Sequence, residues 1–199
     1  IAKMMNPQKE SSQFMTEQEI NQYTLMPTHI TSFFTDEELK SAKLEKPFNF
    51  TKDTPGKGFN IFNSKSGLKV GVLNLMGNVF MKKCEDVFEV SKNFLNQNKL
   101  KSNYDFLIVD FHGETTSEKM AIGYLFDGKA TLVVGTHTHV PTNDARILNN
   151  GTAYQTDAGM CGDYNSVIGM NKENSLNKFF KKDSVKHFPS KGEASLCGV

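Results

Sequence analysis

Gly135-Thr136-His137-Thr138-His139-Val140, together with Val109-Asp110-Phe111-His112 about one helix earlier, holds three of the chain's five histidines. Each stretch follows a short apolar run, Phe106-Leu107-Ile108-Val109 before the first and Thr131-Leu132-Val133-Val134 before the second. Such runs, rich in β-branched residues and bounded by glycine and polar residues, read as buried strands. The histidines therefore stand where strands finish and loops begin, the edge at which α/β folds bind ligands. His137 and His139 are two positions apart, so in extended chain both imidazoles project to one side. Metal binding suits such a pair.

Working outward, Ser117–Phe126 has the pattern of a helix stopped by Asp127-Gly128. Upstream, Gly58–Asn63 and Leu68–Leu75 form a hairpin around Ser64-Lys65-Ser66-Gly67, and a helix fits Glu85 to about Gln97, with Val87, Phe88, Val90, Phe94 and Leu95 on one face. Downstream, Ala145–Leu148 and Ala153–Thr156 read as short strands around Asn149-Asn150-Gly151. The glycine-spaced loop Asp157–Gly169 and a helix over about Glu173–Phe180 follow. Nearer the start, Thr16-Glu17-Gln18-Glu19 and Thr35-Asp36-Glu37-Glu38 are capping boxes that begin short helices. Thr54-Pro55-Gly56-Lys57-Gly58 lacks the full phosphate-loop pattern and reads as a turn. Strands alternate with helices from residue 58 onward without repeats or a linker. The chain reads as a single layered α/β domain over 1–199.

Composition narrows the function. A chain of 199 residues can bury a real core. With 23 basic and 22 acidic residues the formal net charge is +1, which gives no case for an extended nucleic-acid surface. Arg146 is the only arginine, so a bidentate clamp on phosphate comes from one position at most. Cys84, Cys161 and Cys197 are scattered and form no CxxC pair. That argues against a disulfide framework and for a reducing, cytoplasmic setting. No apolar stretch approaches the roughly 18 residues of a membrane span. The chain starts without methionine and ends at Leu196-Cys197-Gly198-Val199, which reads as the opening of a strand, so a fragment or a trimmed product is expected.

Three histidines at strand ends, with Asp110 and Glu114 close by, are the ingredients of a catalytic metal centre. Imidazole suits zinc, iron and manganese-like ions, and carboxylates can bridge two of them. Two such ions can clamp a phosphate. Asp110 is better placed to orient a ligand histidine than to bind metal itself. A lone histidine is more often simply hydrogen-bonded in a loop, and the His-x-His spacing with a third strand-end histidine is what shifts the balance. His29, beside Pro27, reads as a catalytic acid or as nothing. His187 reads as structural, and Cys161, with no local histidine partner, as packing.

The run Asp110-Phe-His-Gly-Glu-Thr-Thr-Ser-Glu-Lys119, Phe126-Asp-Gly128, Val134-Gly-Thr-His-Thr-His-Val140, Gly151-Thr-Ala-Tyr154 and Thr156-Asp-Ala-Gly-Met160 resembles the YmdB-like family of calcineurin-type metallophosphoesterases. Thr54-Pro-Gly-Lys-Gly58 and Leu73-Asn-Leu75 extend the likeness, which covers about residues 54–199. The resemblance implies a four-layer α/β sandwich, a dinuclear metal site and phosphodiesterase activity, typically toward cyclic nucleotides. It gives metal-ligand roles to His112, His137 and His139. The family's opening aspartate strand and Gly-Glu-Asn segment are not visible. Its Gly-Asn-His-Thr motif corresponds to Pro27-Thr28-His29-Ile30, which gives His29 the role of leaving-group proton donor and puts Thr28 where a metal-bridging asparagine is expected. On this reading residues 1–53 are divergent or truncated and the sandwich is incomplete at both ends. An unpaired sheet edge would then favour a homo-oligomer.

Three functions follow as expectations. The first is a metal-dependent phosphodiesterase acting on a small phosphodiester or nucleotide, with one or two divalent ions, iron or manganese. The second is a degenerate family member that serves as a structural or partner-binding protein. The third is a mononuclear three-histidine zinc site.

Overall fold

The computed structural model describes residues 46–51, 54, 56–180 and 188–197. The two capping boxes, His29 and His187 lie outside the described residues. Among the described residues, the strands are β1 (Phe59–Asn63), β2 (Lys69–Met76), β3 (Phe106–His112), β4 (Leu132–Thr136), β5 (Arg146–Ile147) and β6 (Ala153–Gln155). The helices are α1 (Val87–Gln97), α2 (Thr116–Phe126) and α3 (Lys172–Phe179). The six strands make one mixed sheet in the order β1-β2-β3-β4-β6-β5. Its centre is parallel, β2 to β3 to β4 to β6, and each edge is an antiparallel hairpin partner. The α/β class expected from alternation is present. No helix among the described residues is long and apolar enough to cross a membrane.

The sheet has two unlike faces, because successive side chains alternate. On one face Leu73, Leu75, Leu107, Val109, Phe111 and Val133 are buried against Val87, Phe94 and Leu95 of α1 and Ile122 and Phe126 of α2. On the other face the register sets Asn74 beside Asp110, and Met76 beside His112 beside Thr136. Burial on both faces is what a parallel sheet requires. Here the second face carries polar residues that bond one another.

Local chemistry explains the element ends. Asp86 caps α1, its carboxylate accepting from the Phe88 and Glu89 amides, so the helix starts two residues later than the apolar pattern suggests. Gly128 takes φ +76° just past α2, a conformation open to glycine without strain. The Ser64–Gly67 turn and the β5–β6 turn fall where expected, closed by Ser64 N→Leu68 O at 2.8 Å and Leu148 N→Thr152 O at 2.8 Å.

Two strands end later than the apolar runs imply. β3 continues through Asp110 and Phe111 to His112, and β4 begins at Leu132 and continues to Thr136. Aspartate is disfavoured in strands in general. Here the neighbouring strand supplies donors for it. The consequence is that His112 is the last residue of β3 and His137 the first beyond β4.

Candidate metal centre

The β3–β4 edge is organised by a chain of hydrogen bonds on the polar face of the sheet. Asn74 Nδ2 donates to Asp110 Oδ2 at 2.8 Å, and Thr136 Oγ1 donates to Asp110 Oδ1 at 2.9 Å. His112 Nδ1 lies 3.2 Å from the same Thr136 oxygen. The threonine proton is committed to the carboxylate, so Thr136 accepts from His112 Nδ1–H. The tautomer is inferred from this partner set. His112 then presents Nε2 as its lone-pair nitrogen, the form a metal ligand needs. Burial pushes the Asp110 carboxyl up to about 6, against the opposing pull of the bonds from Thr136 and Asn74.

His137 meets that nitrogen directly. Its Nδ1 is 3.0 Å from His112 Nε2, with the two rings nearly perpendicular at 85° and centroids 4.8 Å apart. Its Nε2 is 2.8 Å from Glu114 Oε2. Two ring nitrogens 3.0 Å apart, with the other His137 nitrogen against a carboxylate, are bridged by a proton or by a cation. Metal–imidazole bonds of roughly 2.0–2.1 Å set donors at neighbouring corners of one shell about 3.0–3.4 Å apart, so the spacing fits a shared cation. His139 is engaged elsewhere. Its Nδ1 lies 2.8 Å from the Ile168 carbonyl oxygen in the long loop, and as donor there it too keeps Nε2 as the lone-pair nitrogen.

The structure thus brings His112 and His137 together, with Asp110 behind the first and Glu114 beside the second, and turns His139 toward Ile168. Among the described residues no group of three or more histidine, cysteine, aspartate or glutamate side chains closes into a complete metal site. The His112 and His137 nitrogens, 3.0 Å apart, have the type and spacing that a divalent cation takes. His29 lies outside the described residues. Cys161 is buried, its thiol bonded to the Cys197 carbonyl at 3.2 Å, in keeping with a packing role.

Backbone shape in this loop is unusual. His137 and His139 have φ of 120° and 67°, values that side-chain-bearing residues rarely adopt. Gly135, just before them, is forced: a Cβ there would stand 1.7 Å from the Thr156 carbonyl oxygen. Between the two histidines, Thr138 donates to Asp157 Oδ2 through its amide at 3.1 Å and its hydroxyl at 2.8 Å. The same oxygen takes Lys119 Nζ at 2.6 Å, and both side chains are only 1% exposed. Residue-type reasoning gave Asn74, Lys119, Thr138 and Asp157 no role at the site. Thr138 lies between two of the histidines, and Asn74, Lys119 and Asp157 reach that loop or its strand from three other elements.

These features define the class: an α/β protein of the metallophosphoesterase type, with histidines where β3 ends and just beyond β4. The match to the family described as YmdB-like protein covers residues 25–199, and the chain belongs to that family. It is 41% identical over 156 residues to a 2',3'-cyclic-nucleotide 2'-phosphodiesterase of Bacillus subtilis (strain 168), covering 78% of this chain and 58% of that protein. Among solved structures, a phosphatase of Mycoplasma pneumoniae is 39% identical with TM-score 0.67, covering 76% of this chain and 54% of that one. A hypothetical protein of Thermus thermophilus is 30% identical with TM-score 0.72, covering 89% of this chain and 81% of that one. The chain spans about half the length of the curated relatives it matches, 54% to 58%. The family match begins at residue 25 and so takes in His29.

Proposed function

We propose that this chain carries part of the catalytic centre of a metal-dependent phosphodiesterase acting on small phosphodiesters, cyclic nucleotides in particular. The observation that carries the reading is the His112–His137 pair, its nitrogens 3.0 Å apart, with one ring's tautomer fixed through Thr136 and Asp110. His112, His137 and His139 would hold a divalent cation, iron or manganese, and zinc is the alternative. When bound, such an ion supplies Lewis acidity toward a phosphoryl oxygen and acidifies water for attack on phosphorus.

The chain's own residues do the rest. Asp110, through Thr136, keeps His112 Nε2 free of a proton. Glu114 holds the His137 ring from its far side. Ile168, through its carbonyl, fixes the His139 tautomer. His29 is assigned proton donation to the departing oxygen, on the motif correspondence at Pro27–Ile30. The activity of the B. subtilis relative supports the substrate class.

The test is metal content and turnover of a bis-nitrophenyl phosphate and of a 2',3'-cyclic nucleotide in wild type and His137→Ala. Residues that merely orient ligands change metal affinity or activity by about 10–100-fold, so loss of a ligand should exceed about 100-fold. Retained turnover and metal content in His137→Ala would overturn the assignment. One metal equivalent without turnover would select the mononuclear zinc reading.

A further inference from the structure

We infer that Lys119 and Asp157 are positioning residues for the histidine loop, acting through Thr138 as a buried clamp; the inference rests on the metal-centre reading above. Thr138 is the one residue between the two outer histidines, and its neighbours hold backbone conformations with φ of 120° and 67°. Such conformations persist only when surrounding contacts over-determine them. Asp157 provides those contacts. Its Oδ2 accepts from the Thr138 amide at 3.1 Å and the Thr138 hydroxyl at 2.8 Å, and its Oδ1 accepts from the Gly159 amide at 2.9 Å.

Lys119 completes the arrangement. It rises from the first turns of α2, and its ammonium reaches Asp157 at 2.6 Å, with both side chains 1% exposed. A charge so buried is tolerated only with a partner. The pair therefore fixes where Asp157 stands, and Asp157 fixes where Thr138 and the two histidine backbones stand. The clamp joins three elements: helix α2, the loop after β4 and the loop after β6. The Gly135 contact with Thr156 brings the last two within reach. Neither Lys119 nor Asp157 touches substrate, and each acts through Thr138.

Thr138→Val separates the clamp from the fold, because it keeps the side-chain shape and removes only the hydroxyl. Thr138→Ser restores the hydroxyl. In metal-free full chain, amide hydrogen exchange at residue 138 should quicken roughly 10-fold or more in Thr138→Val, as the bond to a charged acceptor is lost. Mn²⁺ affinity, read by calorimetry, should fall about 10–100-fold and return in Thr138→Ser. Unchanged exchange overturns the clamp. Faster exchange with unchanged Mn²⁺ affinity overturns its positioning role. A wild type that takes up no Mn²⁺ defeats the metal-centre reading instead, and the exchange comparison still decides the clamp.

Discussion

At Lys119 and Asp157 the local chemistry and the usual placement of charged residues disagree. Lysine in a helix belongs on the solvated face in most proteins, yet this ammonium is sealed in and matched to one carboxylate. Breaking such a pair from one side strands the other charge, at a cost of about 3–5 kcal/mol. Lys119→Met should therefore lower the free energy of urea unfolding by that amount. The double variant Lys119→Met/Asp157→Leu should recover part of the loss, and not all of it, since Thr138 and the Gly159 amide lose their acceptor. A cost below about 1 kcal/mol for the single change would show that water reaches the pair. No reading of residue types finds this contact. The two residues are 38 apart in sequence and come from elements whose juxtaposition is set by the sheet.

The elements show where periodicity suffices and where it does not. The β1–β2 hairpin, α1, α2 and the β5–β6 hairpin are each local patterns, and each falls within about two residues of its sequence reading. The end of β3 does not: pairing with β2 and β4 carries it three residues past its apolar run, to His112. Helix α2 also contains Gly123, where replacement by alanine ordinarily gains about 1 kcal/mol of helix propensity. Here a Cβ would stand 2.6 Å from the Tyr154 ring on β6. Overpacking costs about 1–3 kcal/mol, so the balance reverses. Gly123→Ala should lower the thermal midpoint, and a rise would show that Tyr154 can move aside at little cost.

For the molecule as a whole, acid is the informative stress. Burial pushes the Asp157 carboxyl up, but the Lys119 ion pair and the bonds from Gly159 and Thr138 outweigh it and hold the group below its ordinary 3.8. Asp144 behaves alike: burial raises it, and the bonds from Thr142 and Thr156 more than offset that. A carboxyl lowered in the folded state releases its proton more readily there than in the unfolded chain. Its contribution is therefore present above 3.8 and is lost as pH falls below that value. Asp110 has the opposite sign: raised to about 6, it favours the folded state less as pH climbs from 3.8 toward 6. The urea midpoint should thus drop on acidification below about pH 4. Asp144→Asn should flatten that drop, and an unchanged acid limb would contradict the assignment to this carboxyl.

Alternating apolar runs, the helix stop at Asp127-Gly128 and the His137-Thr138-His139 spacing are written in contiguous residues. The α/β class, the histidine-bearing strand ends and the family likeness could be read from them because strand and helix periods are local properties. Which imidazoles meet, which tautomer each adopts and what holds Thr138 are not local. They follow from the register that sets Asn74, Asp110, His112 and Thr136 side by side, and from a lysine and an aspartate brought together by helix packing. Hydrogen bonds act only over about 3 Å, so contacts between residues distant in sequence exist only once the sheet has closed.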